Sequence, residues 1–240
     1  MESSDRTARL AGLLYLVTVV TGIFSLLYVP GQINVHGDAA ATVANIRASE
    51  SLFRAAIAAG AIGYTAFLLL PLVLYRLLSP VGRDMAVVMV ALAVICVPIY
   101  FVALANQLDV LTLLEGDKIQ AAFTLEQLQA RVMSLLDAYR NRVFISEIFW
   151  GLWLFPFGYL VFKSGFLPRI LGIVLMMGCF SYLITYFGEL LLPRVAIPPF
   201  VMWPAAFGEI ATSLWLLIMG ARTPDAGKVR EGADRRDSLR

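Results

Sequence analysis

Long apolar runs alternate with short charged connections along this chain. Six runs stand out, at about 10–29, 52–75, 85–106, 142–162, 170–192 and 201–220. Each holds about twenty residues, the length of helix that crosses a hydrocarbon core of ~30 Å. Backbone in lipid must satisfy its own hydrogen bonds, so each run is predicted to be a helix. The short alternating segments of a transmembrane β-barrel are absent. The expected fold is all-α: a polytopic membrane bundle of six transmembrane helices over 10–220, preceded by a cytoplasmic N-terminus over 1–9. A cleaved signal peptide is the rival for the first run, but its apolar region would be about 7–15 residues and end in a small-residue site. This run is longer and ends in Tyr28-Val29-Pro30-Gly31, so it is read as a retained span.

Two connections carry helical signals of their own. Asp38 is placed to cap a short helix beginning at Ala39. Thr124-Leu125-Glu126-Gln127 fits a capping box. Leu128, Val132, Leu135, Leu136 and Tyr139 then recur at helical spacing, predicting an amphipathic helix over 124–139 that lies in the interface or folds over the outer mouth. The segment 221–240 is polar, with too little apolar surface to order itself, and is expected to be a disordered cytoplasmic tail.

Charge sets the expected orientation. With both termini inside, twelve of the nineteen Lys and Arg residues lie on the inner side and seven on the outer, and the inner loops are the short ones. That is the positive-inside pattern, predicting N-in and C-in. Composition agrees with a membrane protein: 60% of residues are hydrophobic and 15% charged, with a mean hydropathy of +0.79. Soluble domains are nearer half apolar and a quarter charged. A net charge of +2, without basic residues interleaved with aromatics, gives no reason to expect nucleic acid. Cys96 and Cys179 sit inside apolar runs and read as small buried hydrophobes.

Helical spacing divides each span into faces. Stripes of small and polar residues, the kind that pack membrane helices closely, run through Ala11, Tyr15, Thr18, Gly22 and Ser25, and through Arg54, Ala58, Ala61 and Thr65. Span four lines up Arg140, Phe144, Glu147, Gly151, Leu154 and Gly158. Trp150, Trp153 and Phe157 fall on another face, which suits lipid or the interface. Span five carries Gly178, Tyr182, Thr185 and Glu189. Span six carries Ala205, Glu209, Thr212, Ser213 and Leu216. Pro71, Pro98 and Pro156 are expected to kink or loosen their spans.

The charged residues within these runs are the candidates for function. Arg54, Asn106, Asp109, Arg140, Arg142, Glu147, Glu189 and Glu209 all fall in the half of the bundle expected to face outward. A charge at a helix centre costs roughly 2.5–3.5 kcal/mol on insertion scales. Glu209 lies deepest and needs a partner, and Arg54 is the expected partner of Glu209 or Glu147. The candidate ligand-binding or ion-pair set is Arg54, Asn106, Asp109, Arg140, Glu147, Tyr182, Glu189 and Glu209, forming an outward-opening polar pocket. No catalytic residue, metal ligand or cofactor is expected. His36 is the only histidine, and GxxxxGK[ST], HExxH and CxxC are all absent. No internal repeat of the usual transporter kind is visible.

Several stretches together resemble a bacterial family of uncharacterised multi-pass membrane proteins, domain of unknown function 4386. They are Arg9-Leu10-Ala11-Gly12-Leu13-Leu14-Tyr15-Leu16, Phe53-Arg54, the segment 151–172 with its Lys163-Ser164-Gly165-Phe166-Leu167-Pro168-Arg169, and Phe207-Gly208-Glu209 with Ser213-Leu214-Trp215-Leu216-Leu217. The resemblance implies a helical protein of the bacterial inner membrane and carries over no functional residue.

The residues point to a binding or transport component for a small molecule or cation, with membrane lipids around it and its ligand arriving from the outer side. Two alternatives stand beside this. One is a structural or sensory subunit whose buried ion pairs only fix helix packing. The other is a membrane enzyme acting on lipid or envelope precursors.

Overall fold

A computed structural model describes residues 2–116 and 122–221. The described residues form helices, with no β-strand among them: α1 Glu2–Gly22, α2 Val29–Ile33, α3 Ala39–Ala48, α4 Glu50–Leu78, α5 Arg83–Glu115, α6 Leu125–Leu152, α7 Leu154–Ser164, α8 Arg169–Leu191 and α9 Trp203–Ile218. A π-helical turn, Ile23–Tyr28, joins α1 to α2, and a 3-10 turn, Pro199–Met202, leads into α9. Six of the resulting rods are long and apolar enough to cross a membrane: Ser4–Ile33, Glu50–Leu78, Arg83–Glu115, Leu125–Ser164, Arg169–Leu191 and Pro199–Ile218. They correspond to the six apolar runs. The tail expected to be disordered lies, from residue 222 on, outside the described residues.

The spans pack as a closed ring. Each touches its neighbour in sequence, α1 with α4, α4 with α5, α5 with α6 and α7, α7 with α8 and α8 with α9, and α9 returns to α1. Closure brings the first and last spans together, so that the backbone of Gly220 lies against the Asp5 carboxylate. Small residues permit the closest approaches. Gly158 and Gly172 face one another across α7 and α8, where a Cβ on either would sit 2.5 Å from the other's carbonyl oxygen. Large apolar side chains such as Ile62, Ile95, Phe180, Ile184 and Phe207 point outward, as a surface facing hydrocarbon requires.

Local signals explain the helix ends. The Asp38 carboxylate accepts from the Ala41 N–H at 2.8 Å and starts α3. Thr124 and Gln127 close the capping box that the sequence predicts: the Gln127 N–H donates to Thr124 Oγ1 at 3.3 Å, and the Thr124 N–H donates to Gln127 Oε1 at 3.0 Å. The turn between α7 and α8 uses Gly165 at φ 72°, a left-handed conformation that glycine adopts without steric cost. Ser164 steadies that turn, donating to the Val161 carbonyl at 2.8 Å and accepting from the Leu167 N–H at 3.2 Å.

Three expectations change. The segment 124–139 is not a separate helix but the first half of α6, which runs unbroken to Leu152. Its apolar face, Leu128, Val132, Leu135 and Tyr139, is buried against α5 and α3 in a core at the end of the bundle away from the chain ends. The stripe Arg54, Ala58 and Thr65 points outward, with Ala61 only partly covered. Phe53, Ile57, Gly60, Tyr64 and Phe67 face in instead. Trp153 and Phe157, expected toward lipid, are buried at 1% and 0% exposure. The helix breaks between α6 and α7 at Trp153. Pro156 has no N–H to give the Leu152 carbonyl; Gly151, Leu154 and Gly158 of the expected stripe are buried as well, so the buried face of span four is wider than that stripe.

Candidate functional site

Glu209 lies on α9, two turns into the helix, and is partly buried. Both carboxylate oxygens are engaged. Tyr182 on α8 donates its hydroxyl to Oε1 at 3.0 Å, and Tyr15 on α1 donates to Oε2 at 3.1 Å. One side chain thus links three spans. Among the described residues, no Lys or Arg pairs with it.

Aromatic rings surround this bridge. Tyr15 packs on Trp153 and Phe157 at centroid distances of 5.9 and 6.2 Å, and Trp153 stacks on Phe157 at 5.2 Å. Tyr182 meets the edge of Trp150 at 6.1 Å. From Trp150 the rings continue through Tyr64, stacked on Tyr100 at 3.5 Å, to Tyr139, whose hydroxyl lies 3.4 Å from that of Tyr100. Thr212, one turn below Glu209 on the same face, is wholly buried, and its hydroxyl has no hydrogen-bond partner among the described residues. Thr185, one turn from Tyr182, has a buried hydroxyl in the same condition.

The remaining candidates divide between this site and the far end. Glu147 on α6 is half-buried, and the residues a turn to either side of it, Phe144 and Gly151, meet Tyr186 and Tyr182 of α8. Glu189 is exposed near the end of α8. Arg54 does not reach Glu209 or Glu147, which corrects the expected pairing. Its guanidinium is 48% exposed, bonds Glu50 at 2.7 Å within α4, and reaches across to Glu115 on α5. Glu50 and Glu115 also help line a cavity of about 130 Å³ with Ile46, Arg47, Leu111 and Leu114. Asn106 is buried and accepts from Arg142 at 3.1 Å while donating to the Val102 and Ala103 carbonyls. Asp109 is exposed. Arg140 is exposed and bonds Asp137 at 2.9 Å. Arg54, Asn106, Asp109 and Arg140 therefore do not join the Glu209 site.

Tyr15, Trp150 and Trp153 belong to the site and were not among the candidates. Their signal is faint: a tyrosine inside an apolar span must still find a partner for its hydroxyl. Among the described residues, no three His, Cys, Asp or Glu side chains converge as metal ligands would. The arrangement offers a carboxylate held between phenols, with aromatic faces and a buried hydroxyl beside it.

No solved structure matches the chain. A protein of Archaeoglobus fulgidus, described as "Uncharacterized protein", is 28% identical over 149 residues, covering 62% of this chain and 74% of its own length. That relative is archaeal. The family match spans residues 10–220, the whole ring with Tyr15, Glu147, Tyr182, Glu189 and Glu209 inside it. On that match the chain belongs to the family described as Domain of unknown function (DUF4386).

Proposed function

We propose that this multi-pass membrane protein is a binding or transport component for a small molecule or cation, with Glu209 as the recognising group. One observation carries the reading. The Glu209 carboxylate lies within the bundle, bonded at both oxygens to hydroxyls and paired with no cationic side chain among the described residues. A charge in that setting costs several kcal/mol unless a counter-ion joins it. Aromatic faces beside a carboxylate also suit a small ammonium ion. The proposal places the protein in the plasma membrane, the inner membrane of a bacterial cell, with both termini cytoplasmic, on the distribution of Lys and Arg. The Glu189 end then faces outward.

Thermal unfolding of the purified protein in detergent, with added alkali-metal and small ammonium salts, tests this. A ligand at about 100 times its Kd adds ~2.7 kcal/mol of stability. The expected result is a concentration-dependent rise in Tm that Glu209→Gln abolishes. If no salt shifts the parent protein, or the variant responds equally, the reading fails. Cysteines placed at 147 and 189 then report the direction of access: labelling from the cytoplasmic side alone excludes an outward opening.

A second reading has its own support. The bridge from Tyr15 through Glu209 to Tyr182 ties α1, α9 and α8 together, which is what a purely structural subunit would use it for. That reading expects Glu209→Gln to lower Tm with no ligand present and expects no salt response in either protein.

A further inference from the structure

Arg142 on α6 is half-buried and held in place. Its Nη1 donates to Asn106 Oδ1 on α5 at 3.1 Å and to the Ala138 carbonyl at 3.0 Å. Asn106 is itself fixed: it is buried, and its Nδ2 donates to the Val102 and Ala103 carbonyls at 3.1 and 2.9 Å. The Nε and Nη2 groups of Arg142 are the pair that grips two oxygens of one anion side by side. They meet no acceptor among the described residues, and no carboxylate there pairs with Arg142. A guanidinium so placed in a membrane bundle calls for an anion.

Depth decides which anion. Asn106 lies 23 residues beyond Arg83, where α5 begins, which is about 35 Å along the helix at ~1.5 Å per residue. A hydrocarbon core is ~30 Å thick, so with Arg83 at one face of the core, Asn106 and Arg142 reach the other. The exposed surface changes character at the same level. Along α5 it passes from Val102, Ala105 and Leu108 to Asp109 and Thr112. Along α6, running the opposite way, it passes from Ile145 to Asn141 and Arg140. Lipid phosphates stand just outside the hydrocarbon, at that boundary. Asp109 is one turn beyond Asn106, with ~5–6 Å between such Cβ atoms. It is exposed, and no cation pairs with it among the described residues.

We infer that Arg142, presented by Asn106, binds the phosphate of a lipid headgroup at the seam of α5 and α6, and that Asp109 takes the ammonium of the same headgroup. The ligand is then phosphatidylethanolamine. Its short spacer sets a primary ammonium about one helical turn from the phosphate, and the ammonium N–H groups donate to a carboxylate. Its acyl chains run along Val102 and Ile145, toward the middle of the bundle. The site shares no residue with the Glu209 bridge and stands apart from the reading of that carboxylate.

Thermal unfolding of the purified full chain in detergent, with lipid titrated in, tests this. Phosphatidylethanolamine is expected to raise Tm at a lower concentration than phosphatidylcholine, whose ammonium donates no hydrogen bond, or phosphatidylglycerol, which has no ammonium. Arg142→Gln should raise the half-maximal phosphatidylethanolamine concentration about tenfold or more, as the loss of a charge-assisted pair does. Asp109→Asn should raise it severalfold, as an exposed ion pair allows, and leave the phosphatidylglycerol response as it was. A parent protein that responds to none of the three lipids, or to all three equally, overturns the inference. A parent-like response in Arg142→Gln does so too. Inorganic phosphate that matches the lipid at equal concentration also overturns it, marking a site for free anions. If Arg142→Gln does not fold, Asp109→Asn, at an exposed position, decides. Loss of the preference for phosphatidylethanolamine then supports the inference, and a retained preference overturns it.

Discussion

Tyr182 and Glu209, 27 residues apart on consecutive spans, are joined by a hydrogen bond of 3.0 Å. With Tyr15 donating to the other carboxylate oxygen at 3.1 Å, α8 is coupled to α1 through one side chain of α9. Hydrogen bonds to a charged or buried carboxyl are worth about 1.5–3 kcal/mol. Tyr182→Phe and Tyr15→Phe are each expected to lower stability by about that amount. Because both act on Glu209, the double variant should depart from the sum of the singles, which a double-mutant cycle of unfolding free energies in detergent measures.

Arg54 gives the opposite expectation. Its partners Glu50 and Glu115 are half-exposed, as it is. Exposed ion pairs contribute ~0–1 kcal/mol. Arg54→Ala should therefore change stability by less than about 1 kcal/mol and combine additively with Glu209→Gln. A large coupling between the two would show that Arg54 does reach the bundle centre.

Close helix approach predicts a contrast between glycines. A Cβ at Gly158 or Gly172 would meet the backbone of the opposing helix. Gly158→Ala and Gly172→Ala must push α7 from α8, at a cost of about 1–3 kcal/mol. Gly22, at the end of α1, has nothing within 4 Å of an added Cβ. Gly22→Ala should be neutral or stabilising by about 0.5–1 kcal/mol, since alanine is the better helix former. Tm values of the three variants side by side make the comparison.

Tryptophan positions separate buried from lipid-facing surface. Trp153 is 1% exposed, packed on Tyr15, Phe67 and Phe157, and Trp153→Ala should cost about 3–5 kcal/mol. Trp203, 60% exposed, should tolerate the same change with a shift under about 1 kcal/mol. Equal effects at the two sites would mean that Trp153 does not sit in the core.

The sequence alone determined the six spans, the caps at Asp38 and Thr124 and the inward faces of spans one and six. Each depends on apolar length, on 3.6-residue spacing or on a side chain bonding its own neighbours, all of which are local. Only the tertiary structure decided which face of span two looks inward, that Trp153 and Phe157 enter the core, and that Arg54 turns to Glu50 and Glu115. Lipid accepts Ala and apolar rings as readily as a protein interior does, so hydrophobicity does not mark the inner face. Thr65 can point outward because its hydroxyl donates to the Ala61 carbonyl of its own helix at 2.8 Å. Around Trp153, span four buries both its expected stripe and the ring face beside it, which spacing alone does not distinguish. Tyr15 and Glu209 stand 194 residues apart, and no local pattern records that the ring of helices closes to bring them into contact.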